Sequence, residues 1–423
     1  MLTCKYRSYF SRLFVSVSSV LPAPTAAASA TSANSTVCGR PPPDQLIPAD
    51  YERRVAPFDG EQPLLVQLSV WVVAVTSVSE LQSDFSVALY LRLKWRDPRI
   101  TFPACLRRSF LLIETSEIDR IWLPDVYFVD DKHSERHSVV RRNAALRLNR
   151  DDSTLYLSER LTLTIRCSYD FELFPMDTQV CEMIMEPYAY DKQFMDLRFE
   201  DPGIYFNNFK ARIAQFQLLR VLPGNCSYTY IYQGQPLRQS CLRAVFFFQR
   251  AFNYYLLQMY VPSMLIVAIS FLGFWVPVNM VPGRIALSIT TLLTLATQSQ
   301  VVQRQLPPVS YMKASDVWMF ACILAVFATL VEFTLSYRHY ERRQASEHTA
   351  VQPLGEPRRD ECSLKGGARL RRRIAFASRS PHFVDNLSKI VFPVLFVVFN
   401  VIYWLFFTAS QRKKDLETMN YIA

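Results

Sequence analysis

The pattern of hydrophobic and polar residues changes at about residue 250. Before that point, short runs in which apolar and polar residues alternate are separated by turns, a pattern typical of a β-sandwich. After it come four long apolar segments, at about 254–276, 285–303, 315–337 and 388–407. Each is near the ~20 residues that an α-helix needs to cross a hydrocarbon core of ~30 Å. The pattern predicts a mixed architecture, a β-sandwich followed by a four-helix transmembrane bundle.

Two strands are clearest in the first part of the chain. From Ser86 to Trp95, apolar residues occupy every second position, so the opposite face carries Tyr90 and Arg92. A second strand over 155–165 has leucine at alternate positions and turns Ser158 the other way. Because the apolar faces form the core, we expect these three polar side chains on exposed faces.

The second apolar segment differs from the other three because it is rich in hydroxyl and amide side chains. Helices that face lipid avoid such residues, whereas a helix that borders water does not. One helix face would carry residues at intervals of 4, 3, 4 and 3 from Ala286 onward. The candidate residues of this water-bordering helix, which would line a pore if several copies surrounded one, are Pro282, Arg284, Ala286, Thr290, Leu293, Thr297 and Gln300. The alternative is that Leu293 packs against a neighbouring helix.

The net charge of +10 is informative mainly through its location. Charge alone would be compatible with a nucleic-acid-binding protein. However, residues 338–387 hold eleven Lys/Arg against six Asp/Glu, between the third and fourth apolar segments. This is the pattern of a cytoplasmic loop under the positive-inside rule, so we predict no nucleic-acid partner.

The N-terminus has the pattern of a secretory signal. Basic residues precede a short apolar run, and small residues follow at 26–30. This orientation places both chain ends outside the cell. The predicted units are a signal peptide 1–30, an N-terminal segment 31–61, an extracellular β-sandwich 62–250, helices one to three 251–337, a cytoplasmic loop 338–387, a fourth helix 388–408 and an extracellular tail 409–423.

Cys167 and Cys181 bracket thirteen residues that contain Phe174-Pro175-Met176-Asp177. Together with Trp122-Leu123-Pro124-Asp125 and the four apolar segments, this loop resembles the signature of the Cys-loop receptors, over about residues 45–410. That family consists of pentameric ligand-gated ion channels. The resemblance implies an extracellular immunoglobulin-like β-sandwich above the helix bundle, five subunits around a pore, and ligand sites between neighbouring sandwiches.

The resemblance also implies disulfides and a coupling junction. The expected disulfides are Cys167–Cys181 and Cys226–Cys241, and Cys38 with Cys105 is a third pairing that the sequence leaves open. Coupling between the sandwich and the pore is expected at Phe174, Pro175, Asp177, Arg250 and Lys313. The sequence leaves both Asp177 and Glu172 open as partners of Arg250.

The start of the predicted pore helix resembles the anion-channel branch of the family. It reads Val281-Pro282-Gly283-Arg284 and contains no carboxylate, and positive charge at a pore mouth favours anions. The N-terminus of the helix adds its own positive field. Gly283 departs from the alanine usual at that position, which weakens the inference of strict selectivity. We predict a chloride channel, with a cation-selective member of the same family as the alternative.

The ligand site implied by the resemblance has two faces. Arg92 and Ser158, with Tyr90 beside them, match residues that hold a ligand carboxylate in glycine- and glutamate-gated relatives. Aromatic residues of the other face would enclose an ammonium group by cation–π attraction. The candidates on that face are Tyr127, Phe128, Tyr188, Tyr190 and Tyr230. The agonist stays open among small amino acids, amines and protons.

Two further kinds of site are predicted. His133, Glu135 and His137 lie where relatives carry modulatory proton or zinc sites, and the plain alternative is exposed histidines without a role. Asn34 and Asn225 begin sequons for N-glycosylation.

The expected partners are four further subunits of the same or another kind, a small-molecule agonist, chloride and the lipid bilayer. We predict a multi-pass plasma-membrane protein, and a postsynaptic location is one that the resemblance allows. We expect no cofactor or structural metal and no enzyme activity. A tethered β-sandwich binding protein without channel activity is the alternative from another class, but it leaves the polar second segment unexplained.

Overall fold

The computed structural model describes residues 46–350 and 383–420, apart from 59, 61, 104, 105, 107, 207–212 and 214. The predicted signal peptide 1–30, Asn34, the pairing of Cys38 with Cys105, and residues 351–382 of the predicted cytoplasmic loop lie outside the described residues.

The described part of the chain contains thirteen β-strands before the first long helix. They are β1 Leu64–Ser79, β2 Asp84–Arg96, β3 Phe110–Ile113, β4 Val126–Phe128, β5 Asp131–Arg136, β6 Ala144–Asn149, β7 Thr154–Arg166, β8 Thr178–Pro187, β9 Met195–Phe206, β10 Phe216–Asn225, β11 Tyr228–Tyr232, β12 Gln235–Gln239 and β13 Leu242–Arg250.

The strands form two sheets and a separate hairpin. The larger sheet has the order β3-β6-β7-β2-β1-β9, with β5 also paired to β7, and the smaller sheet has the order β10-β13-β8-β4. The inner faces of both sheets share one hydrophobic core, to which Leu89 and Leu163 contribute from the larger sheet and Met183 and Phe246 from the smaller. The predicted β-sandwich is confirmed.

Strands β2 and β7 show why the alternating pattern was informative. Leu89 and Leu163 are fully buried, whereas Arg92 and Ser158 lie on the outer face and are directly paired across the two strands.

Four helices follow the sandwich, and each is long and apolar enough to cross a membrane. They are α1 Phe252–Trp275, α2 Val281–Gln303, α3 Ala314–Ala350 and α4 Phe383–Asn420. The predicted bundle is confirmed. Helices α3 and α4 continue beyond the predicted spans, because good helix formers such as Glu, Arg, Gln and Lys follow the apolar segments. The residues assigned to a tail therefore extend α4 as far as Asn420.

A local distortion of α1 ties it to α2. Pro262 has no N–H to donate back to the carbonyl of Gln258, and the turn over Leu256–Tyr260 widens to a π-helix. The amide of Gln298 donates to two carbonyls of this turn, at 3.2 Å to Met259 and 3.4 Å to Gln258, and the Met259 carbonyl also accepts from the Ser263 hydroxyl of α1 at 2.8 Å. A side chain of α2 therefore hydrogen-bonds to the distorted turn of α1.

Aromatic side chains pack α1, α3 and α4 together. The hydroxyls of Tyr260 and Tyr403 lie 2.8 Å apart, and Tyr403 also donates to the carbonyl of Ala314 at 3.0 Å. The indole N–H of Trp318 donates to Ser263 at 2.8 Å. These polar tips are hydrogen-bonded, as burial in an apolar bundle requires.

Candidate functional site

A cluster of tyrosines surrounds one buried carboxylate at the end of the smaller sheet. Tyr127 of β4 is paired directly with Glu186 of β8, so both side chains point to the same side. The ring of Tyr188 lies edge-on to Tyr127, with centroids 5.5 Å apart. The hydroxyl of Tyr228, from β11, donates to Glu186 Oε2 at 3.4 Å, and Tyr127 does so at 3.5 Å. Four elements of the fold thus meet at Glu186.

The cluster is open to solvent on the side of Tyr188, which is 79% exposed. Tyr230 stands beside Tyr228 on the β11–β12 hairpin, with ring centroids 6.1 Å apart. The opening gives a small molecule access to the tyrosine faces and to the carboxylate beneath them.

Glu186 is only 5% exposed. Burial raises the pKa of its carboxyl above the ordinary value, although the tyrosine hydroxyl donors act in the opposite sense. Among the described residues, Glu186 forms no ion pair. A buried acceptor between aromatic faces is the arrangement that binds an ammonium group.

Two of the sequence-predicted aromatic residues lie elsewhere. Phe128 is adjacent to Tyr127, but successive side chains of a strand alternate, and Phe128 is 7% exposed within the sandwich core. Phe128, a predicted ligand-binding residue, therefore lies in the core and outside the tyrosine cluster. Tyr190 packs its ring against Trp122 and Phe58, at 6.3 and 5.7 Å between centroids. Its contacts are those of a residue that supports the core.

Arg92 lies on the outer face of the larger sheet among aromatic rings. Its guanidinium carbon is 4.8 Å from the ring centroid of Trp71 and 5.9 Å from that of Tyr205. Trp71 in turn contacts Tyr90, at 6.5 Å between centroids. With Ser158 on the neighbouring strand, Arg92, Trp71, Tyr90 and Tyr205 form a second cluster, the Arg92 cluster.

The Arg92 guanidinium is fixed by its aromatic neighbours and still has an unused hydrogen-bond donor. Its Nε is buried and has no hydrogen-bond partner among the described residues. Cation–π contacts fix the plane of the group without using its N–H donors. A planar donor fork fixed in this way suits a carboxylate, which accepts two parallel hydrogen bonds.

The Tyr127 cluster, defined by Tyr127, Glu186, Tyr188, Tyr228 and Tyr230, and the Arg92 cluster have no strand in common. The first is built from β4, β8, their following loop and β11, and the second from β1, β2, β7 and β9. They belong to different sheets of one sandwich. A single chain therefore carries an aromatic cluster around a buried carboxylate and, separately, a cationic cluster.

One face of α2 is exposed along its length. The exposed residues include Pro282, Ala286, Thr290, Leu293, Thr297 and Gln300, which are six of the seven predicted pore-lining residues. Leu293 is 64% exposed, and the opposite face buries Ser288, Thr291 and Leu295. Several threonines on α2 donate to backbone carbonyls one turn back, such as Thr290 to Ala286 at 2.8 Å.

Arg284 departs from this face. It is 3% exposed and pairs with Asp385 of α4, with Nη2 2.9 Å from Oδ2. Its Nε donates to the carbonyl of Val276 at 2.7 Å. Arg284, a predicted pore-lining residue, therefore has its side chain turned into the bundle and its charge paired.

The exposed face continues at its other end to Arg304, four residues after Gln300. Arg304 is exposed, and no ion pair of its side chain occurs among the described residues. The positive charge of Arg304 on the exposed face of α2 therefore lies at the end of the helix that is nearer to the sandwich.

The sandwich and the helices meet around Arg250, at the end of β13. Arg250 forms a buried bidentate pair with Asp177, at 2.6 Å from Nε to Oδ1 and 2.9 Å from Nη2 to Oδ2. It also pairs with Glu80 and donates to Tyr255 of α1 at 3.1 Å. Burial lowers the pKa of this guanidinium, but Asp177 and Glu80 outweigh that effect and raise it above the ordinary value.

The loop between Cys167 and Cys181 reaches the start of α3. Phe174 of this loop packs against Arg250 and Tyr255. Its ring centroid lies 4.6 Å from the guanidinium carbon and 5.0 Å from the ring centroid of Tyr255. The carbonyl of Phe174 accepts from the Ser315 N–H at 3.0 Å. Pro175 follows a cis peptide bond in this loop. Lys313 is buried beside the loop and pairs with Asp316 at 3.0 Å.

Two family models match this chain. One, described as the neurotransmitter-gated ion-channel ligand binding domain, matches residues 44–226. The other, described as the neurotransmitter-gated ion-channel transmembrane region, matches residues 259–363. Together they span more than half of the chain, and they follow the division between sandwich and helices. The chain belongs to the neurotransmitter-gated ion-channel family. It is a multi-pass membrane protein and a subunit of a pentameric ligand-gated channel.

Both predicted disulfides of the channel subunit are present. Cys167 is bonded to Cys181 and Cys226 to Cys241. The second closes the base of the β11–β12 hairpin that carries Tyr228 and Tyr230. Asn225, the predicted glycosylation residue, is exposed beside this hairpin.

The predicted proton or zinc site is only partly assembled in the channel subunit. His133 and Glu135 lie on the exposed strand β5, and His137 accepts from or donates to Thr162 at 2.7 Å. Within the described residues there is no group of three or more His, Cys, Asp or Glu arranged to hold a metal ion. His137 is therefore the member of this set with a defined structural contact.

Several residues of the channel sites were missed by sequence reasoning. They are Glu186, Trp71, Tyr205, Glu80, Arg304 and Asp385. Arg304 continues the same helical spacing that selected Gln300, so the spacing itself was a usable signal. The others depend on strand register or on helix packing, for which the sequence alone offers no direct signal.

Proposed function

We propose that the channel conducts chloride and is opened by a zwitterionic amino acid bound between two subunits. The ammonium group of the ligand binds in the Tyr127 cluster of one subunit, and its carboxylate binds the Arg92 cluster of the next. The observation that carries this proposal is the pair of half-sites, one anionic and aromatic, the other cationic, on different sheets of the same sandwich.

The ammonium side is supported by Glu186. Its carboxylate is buried, lacks an ion pair in the described part of the chain, and is bordered by the rings and hydroxyls of Tyr127 and Tyr228. An ammonium group placed there gains a charge-assisted hydrogen bond and cation–π contacts. An amine without a carboxylate would satisfy only this half of the site.

The carboxylate side is supported by Arg92 and Ser158. The guanidinium retains an unused buried donor, and the register places the Ser158 hydroxyl on the adjacent strand. A ligand with both charges bridges the two half-sites and stabilises the contact between subunits.

Chloride selectivity is supported by the ends of α2. The first turn of α2 has no acidic residue, and helix N-termini carry a positive field. The exposed Arg304 adds a cationic ring at the other end when several copies surround the pore. Arg284 does not contribute to this argument, because Asp385 pairs its charge.

The test of selectivity is the reversal potential of agonist-evoked current in oocytes. Replacing most external chloride by a large impermeant anion shifts the reversal potential to more positive values if chloride carries the current. A reversal potential that does not change with external chloride but shifts with external sodium would establish the cation-selective alternative.

The test of ligand class is an agonist panel with matched pairs. Each amino acid of the panel is compared with the amine that lacks its carboxylate and with the acid that lacks its amine. We expect activation by amino acids at concentrations well below those at which either fragment acts. Equal potency of the amine and the amino acid would contradict the role of Arg92.

A further inference from the structure

The end of the bundle at which α2 begins contains a buried cluster of charged groups. Arg284 comes from α2, Glu332 from α3, and Asp385 from the first turn of α4. All three are less than 7% exposed. Ionised groups buried together in this way have to be balanced in charge, because an uncompensated buried charge is costly.

The donors of Arg284 are all directed away from the exposed face of α2. Nη1 lies 3.2 Å from Asp385 Oδ1, and Nη2 lies 2.9 Å from Oδ2, so the pair is bidentate. Nε donates to the carbonyl of Val276, and the guanidinium carbon lies 5.7 Å from the ring centroid of Phe333. Three neighbouring segments thus fix the direction of one side chain.

Glu332 is the second acid of the cluster. Its Oε1 accepts from the hydroxyl of Ser336 at 2.9 Å, and its Oε2 is buried. It acts electrostatically on both Asp385 and Arg284. The cluster therefore holds one cation and two acids, and Asp385 is the acid that forms the ion pair with Arg284.

We propose that Asp385 and Glu332 are positioning residues that determine how ions enter the pore at the α2 N-terminus. They hold Arg284 out of the permeation path and cancel its charge there. The proposal rests on the proposed function, in which α2 lines a chloride pore. In this proposal α3 and α4 do not line the pore, but their carboxylates influence conduction directly.

Loss of both carboxylates leaves one uncompensated guanidinium in each subunit. A ring of such charges lies beside Pro282 and Gly283 and raises the local chloride concentration within a Debye length of about 8 Å. Chloride that enters from this end, the cytoplasmic one in our orientation, carries inward current. Inward single-channel current is therefore expected to increase relative to outward current.

The experiment compares the full-length channel with the double variant Asp385→Asn/Glu332→Gln. Single-channel currents are recorded in inside-out patches with equal chloride on both sides, and the ratio of inward to outward current is measured. We expect the ratio to rise about twofold at low salt and to return towards the wild-type value as salt screens the added charges. The triple variant that adds Arg284→Gln is neutral at the cluster and should restore the wild-type ratio.

Two further variants keep the test decisive. Lys389→Gln changes a charge one turn further along α4, outside the cluster, and should leave the ratio unchanged. Arg284→Gln alone leaves a net negative cluster and should lower the ratio. If the double variant does not reach the surface, Arg284→Gln and the triple variant decide the question. A wild-type ratio in every variant that conducts would overturn the proposal.

The outcome is separate from that of the proposed function. Chloride selectivity is read from the reversal potential of the wild-type channel, whereas the role of Asp385 and Glu332 is read from differences between variants. A merely structural role would change the number of channels at the surface and leave the current ratio of each open channel unchanged.

Discussion

Arg92 and Glu186 show how single residues are prepared for a ligand before it binds. Arg92 is fixed by the rings of Trp71 and Tyr205 and keeps an unused donor. Glu186 is buried under Tyr127 and Tyr228 and keeps a negative charge without a cationic partner in the described part of the chain. Groups held in this way lose little conformational freedom on binding, which favours affinity.

Arg92→Lys is predicted to weaken activation by amino acids. Lysine retains the charge but lacks the planar fork, so one of two parallel hydrogen bonds to the ligand carboxylate is lost. Such a bond contributes about 1.5–3 kcal/mol, which corresponds to roughly a 10- to 100-fold increase in the half-maximal agonist concentration. Arg96→Lys, at the exposed end of the same strand, is the matched control and should not change the concentration–response curve.

Glu186 is predicted to make activation sensitive to acid. Its pKa is raised by burial, so the carboxylate takes up a proton at a higher pH than an exposed glutamate does. The protonated form loses its attraction for the ammonium group, and potency should fall as the pH is lowered through this pKa. In Glu186→Gln, potency should be low and flat across the same range. A wild-type pH profile in that variant would exclude Glu186 as the sensor.

The predicted proton or zinc site at His133 and His137 is tested in the same recordings. His137→Ala removes the contact with Thr162 and leaves Glu186 unchanged. If the response to acid is the same in this variant and in the wild-type channel, the histidine has no part in it. His133→Ala, on the exposed strand β5, tests the other predicted histidine of this site in the same way.

The sequence predicted some of these residues and could not predict others, for physical reasons. Alternation in β2 was sufficient to place Arg92 outside the core. The same rule, applied across Tyr127 and Phe128, would have excluded Phe128, since neighbours on a strand face opposite ways. Arg284 is two positions from Ala286, which is about 200° around a helix, so its departure from the exposed face follows from helical geometry. Glu186 required the register of β4 against β8, which pairs residues 59 positions apart.

At the scale of elements, the end of α4 reaches the disulfide-closed loop of the sandwich. Lys414 lies 2.7 Å from Asp170 and 2.7 Å from Glu172. The predicted boundary at residue 409 did not anticipate this contact, because the apolar segment ends before it while the helix continues. Span prediction follows hydrophobicity, whereas helix length also depends on the propensity of polar residues.

Lys414→Glu is predicted to impair channel opening. The substitution replaces two attractions by repulsion between α4 and the loop that contacts α3. Because the groups are partly exposed, we expect a modest change, about a two- to fivefold increase in the half-maximal agonist concentration. Lys413→Glu is the neighbouring control, since that side chain is 80% exposed and faces Glu417. Equal effects of the two variants would show that the contact with the loop is unimportant.

At the scale of the whole molecule, the sandwich and the bundle are joined through buried charges at Arg250. Asp177 comes from the disulfide-closed loop and Glu80 from the end of β1, so one guanidinium connects two loops to β13 and α1. Hydrophobic pattern predicts each domain separately. It cannot predict this junction, which depends on three segments that are distant in sequence.

Arg250→Gln is predicted to uncouple or destabilise the channel. Removal of one partner leaves buried carboxylates uncompensated, at a cost of about 3–5 kcal/mol. We expect a large loss of surface protein in immunolabelled oocytes, or surface protein that binds agonist without current. The variant Arg250→Lys retains the charge and should recover part of the surface expression. Normal current in Arg250→Gln would contradict the assigned role.

The length of α4 has a consequence for the setting in which the channel works. This helix covers Asp385–Glu417, 33 residues or about 50 Å, so its polar last turns, which carry Lys414, extend beyond a hydrocarbon core of about 30 Å. Side chains such as Leu395 and Leu405 are exposed and therefore meet lipid. A thicker bilayer would cover more of the last turns and draw Lys414 away from the sandwich. The strength of the agonist response should thus vary with the acyl-chain length of the surrounding lipids, so that channel opening depends on membrane thickness.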